Sequence, residues 1–312
     1  MSHTTSAMLS RAQSAVAVAG ATGNLGWIVS EAFLTTFKPF FSRILILSRN
    51  LSSSRAQALS ALGAELVHVR LDEVNPENAK SLQDVFAGID ILVNVLGRSD
   101  ACVHDMLAEA AIQAGVKVYF PSEFGIDHRL NDFPGFDHKE WGKKRKHFSS
   151  VSELAAKNGG DVKIIAVYPG LFLEDALSPR FGFDIDNHAI TTIGPSTVRT
   201  TFTSKVDIAR AVAQLAILAM LSPAALSDSV PAHVRISGKF RITEEDLAGA
   251  KETLSVESAR GLVGAPAGHI RVLMGEGKLD FSEDNENELV NPNERLWKWK
   301  TIEETIKKEM GK

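Results

Sequence analysis

Val16-Ala17-Val18-Ala19-Gly20-Ala21-Thr22-Gly23-Asn24-Leu25-Gly26 joins a buried apolar run to a helical pattern through three glycines spaced three apart. Gly20 suits a tight turn, Gly23 leaves backbone amides bare where an anion can approach, and Gly26 lets the helix pack closely on the strand. The helix start adds free N–H groups and the positive end of its dipole. In this strand-before, helix-after setting the turn predicts a pyrophosphate site lined by Gly20, Thr22, Gly23, Asn24, Leu25 and Gly26; a purely structural turn is the alternative.

The rest of the 312-residue chain is long enough for one large domain and a smaller lobe. Apolar content of 44% and charged content of 23% describe an ordinary soluble globular protein. A net charge of −4 argues against a nucleic-acid surface, and the basic run Lys143-Lys144-Arg145-Lys146 reads first as a solvated helix face. Cys102, the single cysteine, cannot form an internal disulfide, so a reducing cytoplasmic setting is expected. Met1 to Ser14 is polar, lacks the apolar stretch of a signal peptide, and is expected to be disordered. Ala211 to Leu221, the longest apolar run, is interrupted by Gln214 and too short to span a bilayer, so no membrane partner is expected. The 9 histidines lack ligand spacing and Cys102 stands alone, so no metal site is predicted.

Between Val16 and Phe120, β-branched runs alternate with helical patterns, which predicts βαβ units and a parallel sheet. Strands are expected at Val16 to Ala19, Arg43 to Leu47, Glu65 to Arg70, Ile89 to Val95, Lys117 to Phe120 and Val162 to Tyr168. Helices are expected at Trp27 to Phe37, Ser53 to Leu62, Pro76 to Phe86, Asp100 to Ala114 with Gly115 closing it, and Trp141 to Lys157. The fold class is α/β, a doubly wound Rossmann-type parallel sheet with a smaller interleaved C-terminal substrate lobe. After Pro169 the rhythm changes. A helix capped by Thr203 or Ser204 runs to Leu221, β-like pieces lie at His233 to Ile242 and His269 to Leu273, and helices start at Thr243 and Pro292. The expected division is a tail at 1–14, a dinucleotide domain at 15–168 to which 203–221 returns, and a substrate lobe at 169–202 and 222–312.

The second strand ends Leu47-Ser48-Arg49-Asn50, followed by Ser52, Ser53, Ser54 and Arg55. In a dinucleotide fold that strand end meets the adenine ribose, where an acidic residue would accept from the 2′-hydroxyl of NAD. Ser48, Arg49 and Arg55 suit a 2′-phosphate instead, which predicts NADP(H). A solvated strand-end charge is the alternative for Arg49. Asp72 falls near the adenine edge, or is a plain turn aspartate.

The Tyr-x-x-x-Lys pair of ordinary short-chain dehydrogenases is absent, because Glu123 stands four after Tyr119 and Phe172 four after Tyr168. On a helix from Trp141 to Lys157, Trp141, Phe148, Val151 and Ala155 form one apolar stripe with Lys144 in its middle. Lys139, Lys143 and Lys146 lie well round the helix, with Arg145 and His147 at the stripe's margins. A lysine turned inward has the depressed pKa wanted in a general acid or base; one that snorkels along the stripe does not. His138 and His147, nine apart, are expected at the surface or in supporting positions.

With the Gly20 to Gly26 turn, Phe120-Pro121-Ser122-Glu123-Phe124-Gly125 after the fifth strand, and then a lysine-bearing helix, the chain resembles the NmrA-like and isoflavone-reductase-like branch of atypical short-chain reductases. The likeness covers about Val16 to Leu221, and the His138, Trp141, Lys144, His147 spacing and Trp297-Lys298-Trp299 are closest in pattern to fungal members. The resemblance implies that Asn94 to Gly97, with Val95 and Gly97 in contact, passes beneath the cofactor. It implies further that Ser122 and Phe124 line the nicotinamide side, and that Lys144 is catalytic and reaches the cofactor. Phe124, Trp141 and Phe172 would wall the substrate pocket, plain core packing being their alternative. Ser149 and Ser150 replace an arginine pair of plant members, so the plant substrates do not carry over. The expected activity is hydride transfer from NADPH to a conjugated carbonyl or aromatic, phenylpropanoid-like small molecule. The same family includes redox sensors that bind NADP(H) without turnover and would report to a protein partner. An epimerase-like or ether-cleaving relative is a further option, and the oligomeric state is not encoded in any motif.

Overall fold

The computed structural model describes residues 13–71, 73–97, 99–131, 137–176, 178–184, 189–190, 200–221, 230–237 and 267–301. Two compact units emerge, each woven from three chain segments. Unit one comprises the described residues of Met1–Glu123, Arg145–Ala166 and Ala209–Ala232; unit two comprises those of Phe124–Lys144, Val167–Ile208 and His233–Lys312.

Unit one is built on six parallel strands, β1 (Ser14–Ala19), β2 (Phe41–Ser48), β3 (Glu65–His68), β4 (Ile91–Asn94), β5 (Val118–Phe120) and β6 (Lys163–Ile164), in the order β3-β2-β1-β4-β5-β6. Helices α1 (Asn24–Leu34), α2 (Ser54–Ala61), α3 (Pro76–Val85), α4 (Ala101–Gln113) and α5 (Lys139–Lys157) connect or flank them. All six residues of β1 are buried, so both faces of the sheet are covered, as a parallel sheet between helical layers requires. One face gathers Ala17, Leu45, Leu92 and Tyr119 against Leu107 and Ala111 of α4 and Val151 and Ala155 of α5. The chain winds outward through β2 and β3, then returns to the other side of β1. That reversal between β1 and β4 is where such a sheet opens a crevice.

Several boundaries differ from expectation. Ser14 is the first residue of β1 and pairs with Phe41, so the tail ends before it; residues 1–12 lie outside the described set. Helix α1 starts three residues early, at Asn24, directly on the glycine turn, and ends at Leu34 ahead of a short turn holding Pro39. The expected strand Val162 to Tyr168 divides into β6 and β7 (Ala166–Tyr168). Its Ile165 amide still donates to Tyr119 O, but the Ala166 amide donates to Ala232 O. The large sheet cannot continue there because Pro121, following β5, has no amide to offer.

In unit two, β8 (Leu171–Phe172), α6 (Leu173–Ala176), β9 (Phe183–Asp184), β10 (Ala189–Ile190) and β11 (Phe202–Thr203) lead to α7 (Lys205–Leu221), whose residues from Ala209 onward belong to unit one. Ser204 caps α7, its Oγ accepting from the Asp207 amide at 3.1 Å. After β12 (His233–Arg235), the helix expected from Thr243 falls outside the described residues. His269 to Leu273 is helical, not a strand: α8 (Ala267–Gly275) places Ile270, Leu273 and Met274 at three- and four-residue spacing against the core formed with Ile126, Leu171, Phe202 and Phe281. After α9 (Asn287–Val290), the helix expected from Pro292 is a single 3-10 turn, Pro292–Glu294, and goes no further. Asn293 and Glu294 take left-handed φ of 49° and 53°, and the Asn291 side chain holds the Leu296 amide and Trp297 carbonyl instead.

A buried carboxylate ties this unit together. Asp127, whose side chain is 0% exposed, accepts from Arg129 Nε at 2.8 Å and Nη2 at 2.7 Å, and from Arg235 Nε at 2.9 Å. Burial alone would raise its carboxyl, but the two guanidinium groups outweigh that and hold it below the ordinary aspartate range. A depressed folded-state value means stabilisation that is full above the unfolded aspartate value and lost as pH falls through it and below. Stability should therefore decline from about pH 4 downward. Asp127→Asn is expected to cost about 3 kcal/mol near neutrality and to flatten that acid limb. Urea denaturation across this pH range, followed by tryptophan emission, measures both, and an unchanged acid slope in the variant contradicts the assignment.

Candidate functional site

In unit one the glycine turn sits at the carboxyl end of β1, at the reversal of strand order. Gly20 has φ of +84°, which favours glycine, and its carbonyl accepts from the Gly23 amide at 2.9 Å. A Cβ on Gly20 would fall 2.7 Å from the Val95 carbonyl carbon and oxygen and 2.8 Å from the Leu96 nitrogen, so the segment after β4 lies directly on the turn. A Cβ on Gly26 would fall 2.0 Å from Gly20 O, whereas one on Gly23 would meet only that oxygen at 3.1 Å. Gly20 and Gly26 are thus required by packing, and at Gly23 a Cβ would make one tight contact that Gly20 O would have to yield to.

Gly23 is the N-cap of α1 and supplies no side-chain cap. The first turn of α1 carries no acidic residue, so its amides and dipole stay available to an anion. Gly23 and Asn24 are exposed, Thr22 is half-buried and Leu25 is buried. Arg55 crosses from α2 to donate to Thr22 O at 2.8 Å, which brings one cation onto the turn. Arg49, at the end of β2, is exposed. Ser48 Oγ donates to Asn50 O, and Ser53 Oγ caps α2 through the Ala56 amide, so this strand end is a hydroxyl-rich loop beside two guanidinium groups. Val95 is buried and Gly97 exposed, and Ser122 Oγ donates to Leu96 O at 2.6 Å. Asp72 lies outside the described residues. A bare glycine turn, an uncancelled helix start and arginines at the neighbouring strand end fit a dinucleotide phosphate chain with a further phosphate on the ribose.

The remaining predicted residues belong to unit two. Phe124 is buried with a φ of +28°, a backbone state rarely taken by a bulky residue. Trp141 is 5% exposed inside the apolar core, with ring centroids 5.8 Å from His138 and 6.0 Å from His269. Phe172 is half-buried, its ring centroid 5.7 Å from Lys205 Nζ. On α5 the expected phase holds. Lys139, Lys143 and Lys146 are exposed, Lys144 is half-buried, and Val151 and Ala155 are buried. Lys143 is occupied with Glu140 at 2.9 Å.

Of the two expected placements for His138 and His147, surface or supporting, the structure has the buried one for both. His147 faces inward because two polar partners await it. Its Nε2 lies 3.0 Å from the Tyr119 hydroxyl and its Nδ1 lies 2.5 Å from Asp105 Oδ1. Tyr119 is also bonded by Asn94 Nδ2 at 3.1 Å, which lies 3.0 Å from His104 Nδ1. Burial drives the Tyr119 phenol well above the ordinary tyrosine range. An asparagine ending an otherwise apolar strand, two residues beyond the register partner of a tyrosine in the next, was the sequence sign of this chain. Lys205 was also missed. It is buried at the start of α7 and its Nζ pairs with Asp175 at 2.5 Å.

Among the described residues no group of three or more His, Cys, Asp or Glu could hold a metal ion, and no helix is long and apolar enough to cross a membrane. Residues 12–227 match the model of the NmrA-like family. The chain is similar to oxidoreductase aprR of Aspergillus flavus, 28% identical over 197 residues that make up 63% of this chain and 62% of that protein. It is also similar to phenylcoumaran benzylic ether reductase PT1 of Pinus taeda, 30% identical over 119 residues, 37% of either chain. The matches thus span less than two thirds of these relatives' length. Among solved structures, an isoflavone reductase superposes with a TM-score of 0.69 at 15% identity, covering 96% of this chain and 100% of that one. AtPrR2 with NADP+ and (+)pinoresinol gives 0.67 at 16% identity, over 95% and 99%. These likenesses establish the same doubly wound fold, and some of the matched structures hold NADP(H). With the family model covering most of its length, the chain belongs to the NmrA-like family.

Proposed function

We propose that this protein is an NADPH-dependent reductase acting on a conjugated carbonyl, quinone-methide-like or related aromatic small molecule. The observation that carries the reading is the glycine turn at the strand reversal, where the exposed, side-chain-free N-cap Gly23 opens a helix whose first turn holds no acidic residue. The names of the relatives, an oxidoreductase and a benzylic ether reductase, point the same way. Amides of Asn24 and Leu25, at the start of α1 beside Gly23, would hold the pyrophosphate, and Arg49 with Arg55 and Ser48 the ribose phosphate. Bound NADPH supplies a hydride. Lys144 would hold a proton at Nζ for the substrate oxygen that gains electron density, directly or through a water, with Phe124, Trp141 and Phe172 shaping an apolar pocket. Residues 15–168 with 203–221 would serve the cofactor and the remaining segments the substrate, in a cytosolic setting that leaves Cys102 reduced.

Turnover separates this reading from a cofactor-binding sensor. Stopped-flow NADPH oxidation against enones, quinones and phenylpropanoid-like compounds should reveal at least one substrate; tight NADPH binding with no substrate across the panel would instead favour the sensor. With a substrate in hand, Lys144→Ala should cut turnover about 100-fold while leaving NADPH affinity within a few-fold. Lys143→Ala and Lys146→Ala, at exposed positions, should be near normal, and the reverse pattern removes Lys144 from the chemistry.

Two binding experiments address the cofactor. Calorimetry should find NADPH bound at least about tenfold more tightly than NADH, a difference of about 1.4 kcal/mol, and Arg49→Asp should abolish or reverse it; equal affinities in the unmodified protein end the 2′-phosphate argument. Gly23→Ala should melt within a few degrees of the parent but bind NADPH at least about tenfold more weakly. Gly26→Ala, whose Cβ has no room, should lower the melting temperature sharply. Intact NADPH binding in folded Gly23→Ala would dissociate the turn from the site.

A further inference from the structure

In unit one, five polar side chains from four elements form a continuous hydrogen-bonded chain under the reversal point. Asn94 ends β4 and Tyr119 lies in β5, both 0% exposed; His104 and Asp105 come from α4, and His147 comes from α5 at 8% exposure. Asp105 is the wet end, with 53% of its side chain exposed.

Donor and acceptor inventory orients the chain. The Asn94 side-chain oxygen accepts from the Leu96 amide at 3.1 Å, which fixes the amide flip and leaves both Nδ2 hydrogens for Tyr119 and His104. Asp105, as a carboxylate, can only accept, so His147 Nδ1–H donates to it. The other nitrogen of a neutral imidazole is an acceptor, so the Tyr119 hydroxyl, which accepts from Asn94, donates to His147 Nε2. The chain ends on the Leu96 amide. Leu96 is gripped a second time through its carbonyl by Ser122 Oγ, and its nitrogen is one of the atoms on which Gly20 rests. The chain thus acts on the inner wall of the glycine turn.

We infer that Asp105, His147, Tyr119 and Asn94 are positioning residues that hold the Val95 to Gly97 segment, and through it the Gly20 turn, in the shape that accepts the dinucleotide. The inference rests on the cofactor reading above. Tyr119→Phe removes the central hydroxyl at almost constant volume. The variant should bind NADPH about tenfold more weakly at a temperature well below its melting point, and the Val95 to Gly97 amides should exchange hydrogen faster in the free protein while β1 stays protected. His147→Leu should reproduce both effects. His147→Gln, whose side-chain oxygen can still accept from Tyr119, should restore affinity to within about threefold; a role confined to stability would move the melting temperature of all three variants without this split in affinity.

Unchanged exchange at Val95 to Gly97 in Tyr119→Phe overturns the positioning role whatever the cofactor. Faster exchange with unchanged NADPH affinity overturns the coupling to the turn while the reductase reading stands. No NADPH binding by the unmodified protein defeats the reductase reading and the cofactor part of this inference together, and the exchange measurement still decides the hold on the segment.

Discussion

The approach of α1 to β1 leaves 2.0 Å between Gly20 O and the place where a Cβ on Gly26 would be, and from this contact the rest of unit one follows. A side chain at that position would lift the helix off the strand. Because the helix starts directly on the turn, its unsatisfied amides point outward at the strand's end instead of being lost in a loop. The Val95 to Gly97 segment closes against Gly20 from the other side of the reversal, so one residue without a side chain lies between two backbones that both need its space.

Most of this was legible because its causes are local. The three glycines, the apolar strand runs, the Ser204 cap and the apolar stripe of Trp141, Val151 and Ala155 on α5 follow from residue type and spacing alone. Errors arose where the cause is a distant partner. Nothing in Val162 to Tyr168 reveals where its pairing with β5 ends, since the reason is the proline after that strand, or that the Ala166 amide on the opposite edge meets the Ala232 carbonyl. His269 to Leu273 has an apolar content that suits strand or helix, and the core around Ile126 and Phe281 selected the helix. Asn291 stopped the segment after Pro292 by occupying the backbone groups of residues five and six positions on.

The candidate site was less legible than the fold. Phosphate-facing residues cluster in sequence and could be read together. The polar chain beneath them could not, because Asp105 and His147 are far apart in the sequence and each looks like a surface residue on its own helix. Polarity was a misleading guide to exposure for His147: its imidazole is buried because both ring nitrogens have partners there.

This interlocking also constrains how the sequence can drift. Asn94 uses two donors and one acceptor, Tyr119 one of each, and His147 both ring nitrogens, so replacing any one of them leaves a buried neighbour with a group it cannot satisfy. Phenylalanine in place of Tyr119 is tolerable to packing but leaves a donor of Asn94 and an acceptor of His147 facing an apolar ring. Related proteins should therefore exchange these positions as a group, going from the full polar chain to a fully apolar one with few lineages between. Substitutions at Asn94, Tyr119 and His147 should covary more tightly than those at any of the exposed lysines on the same helix.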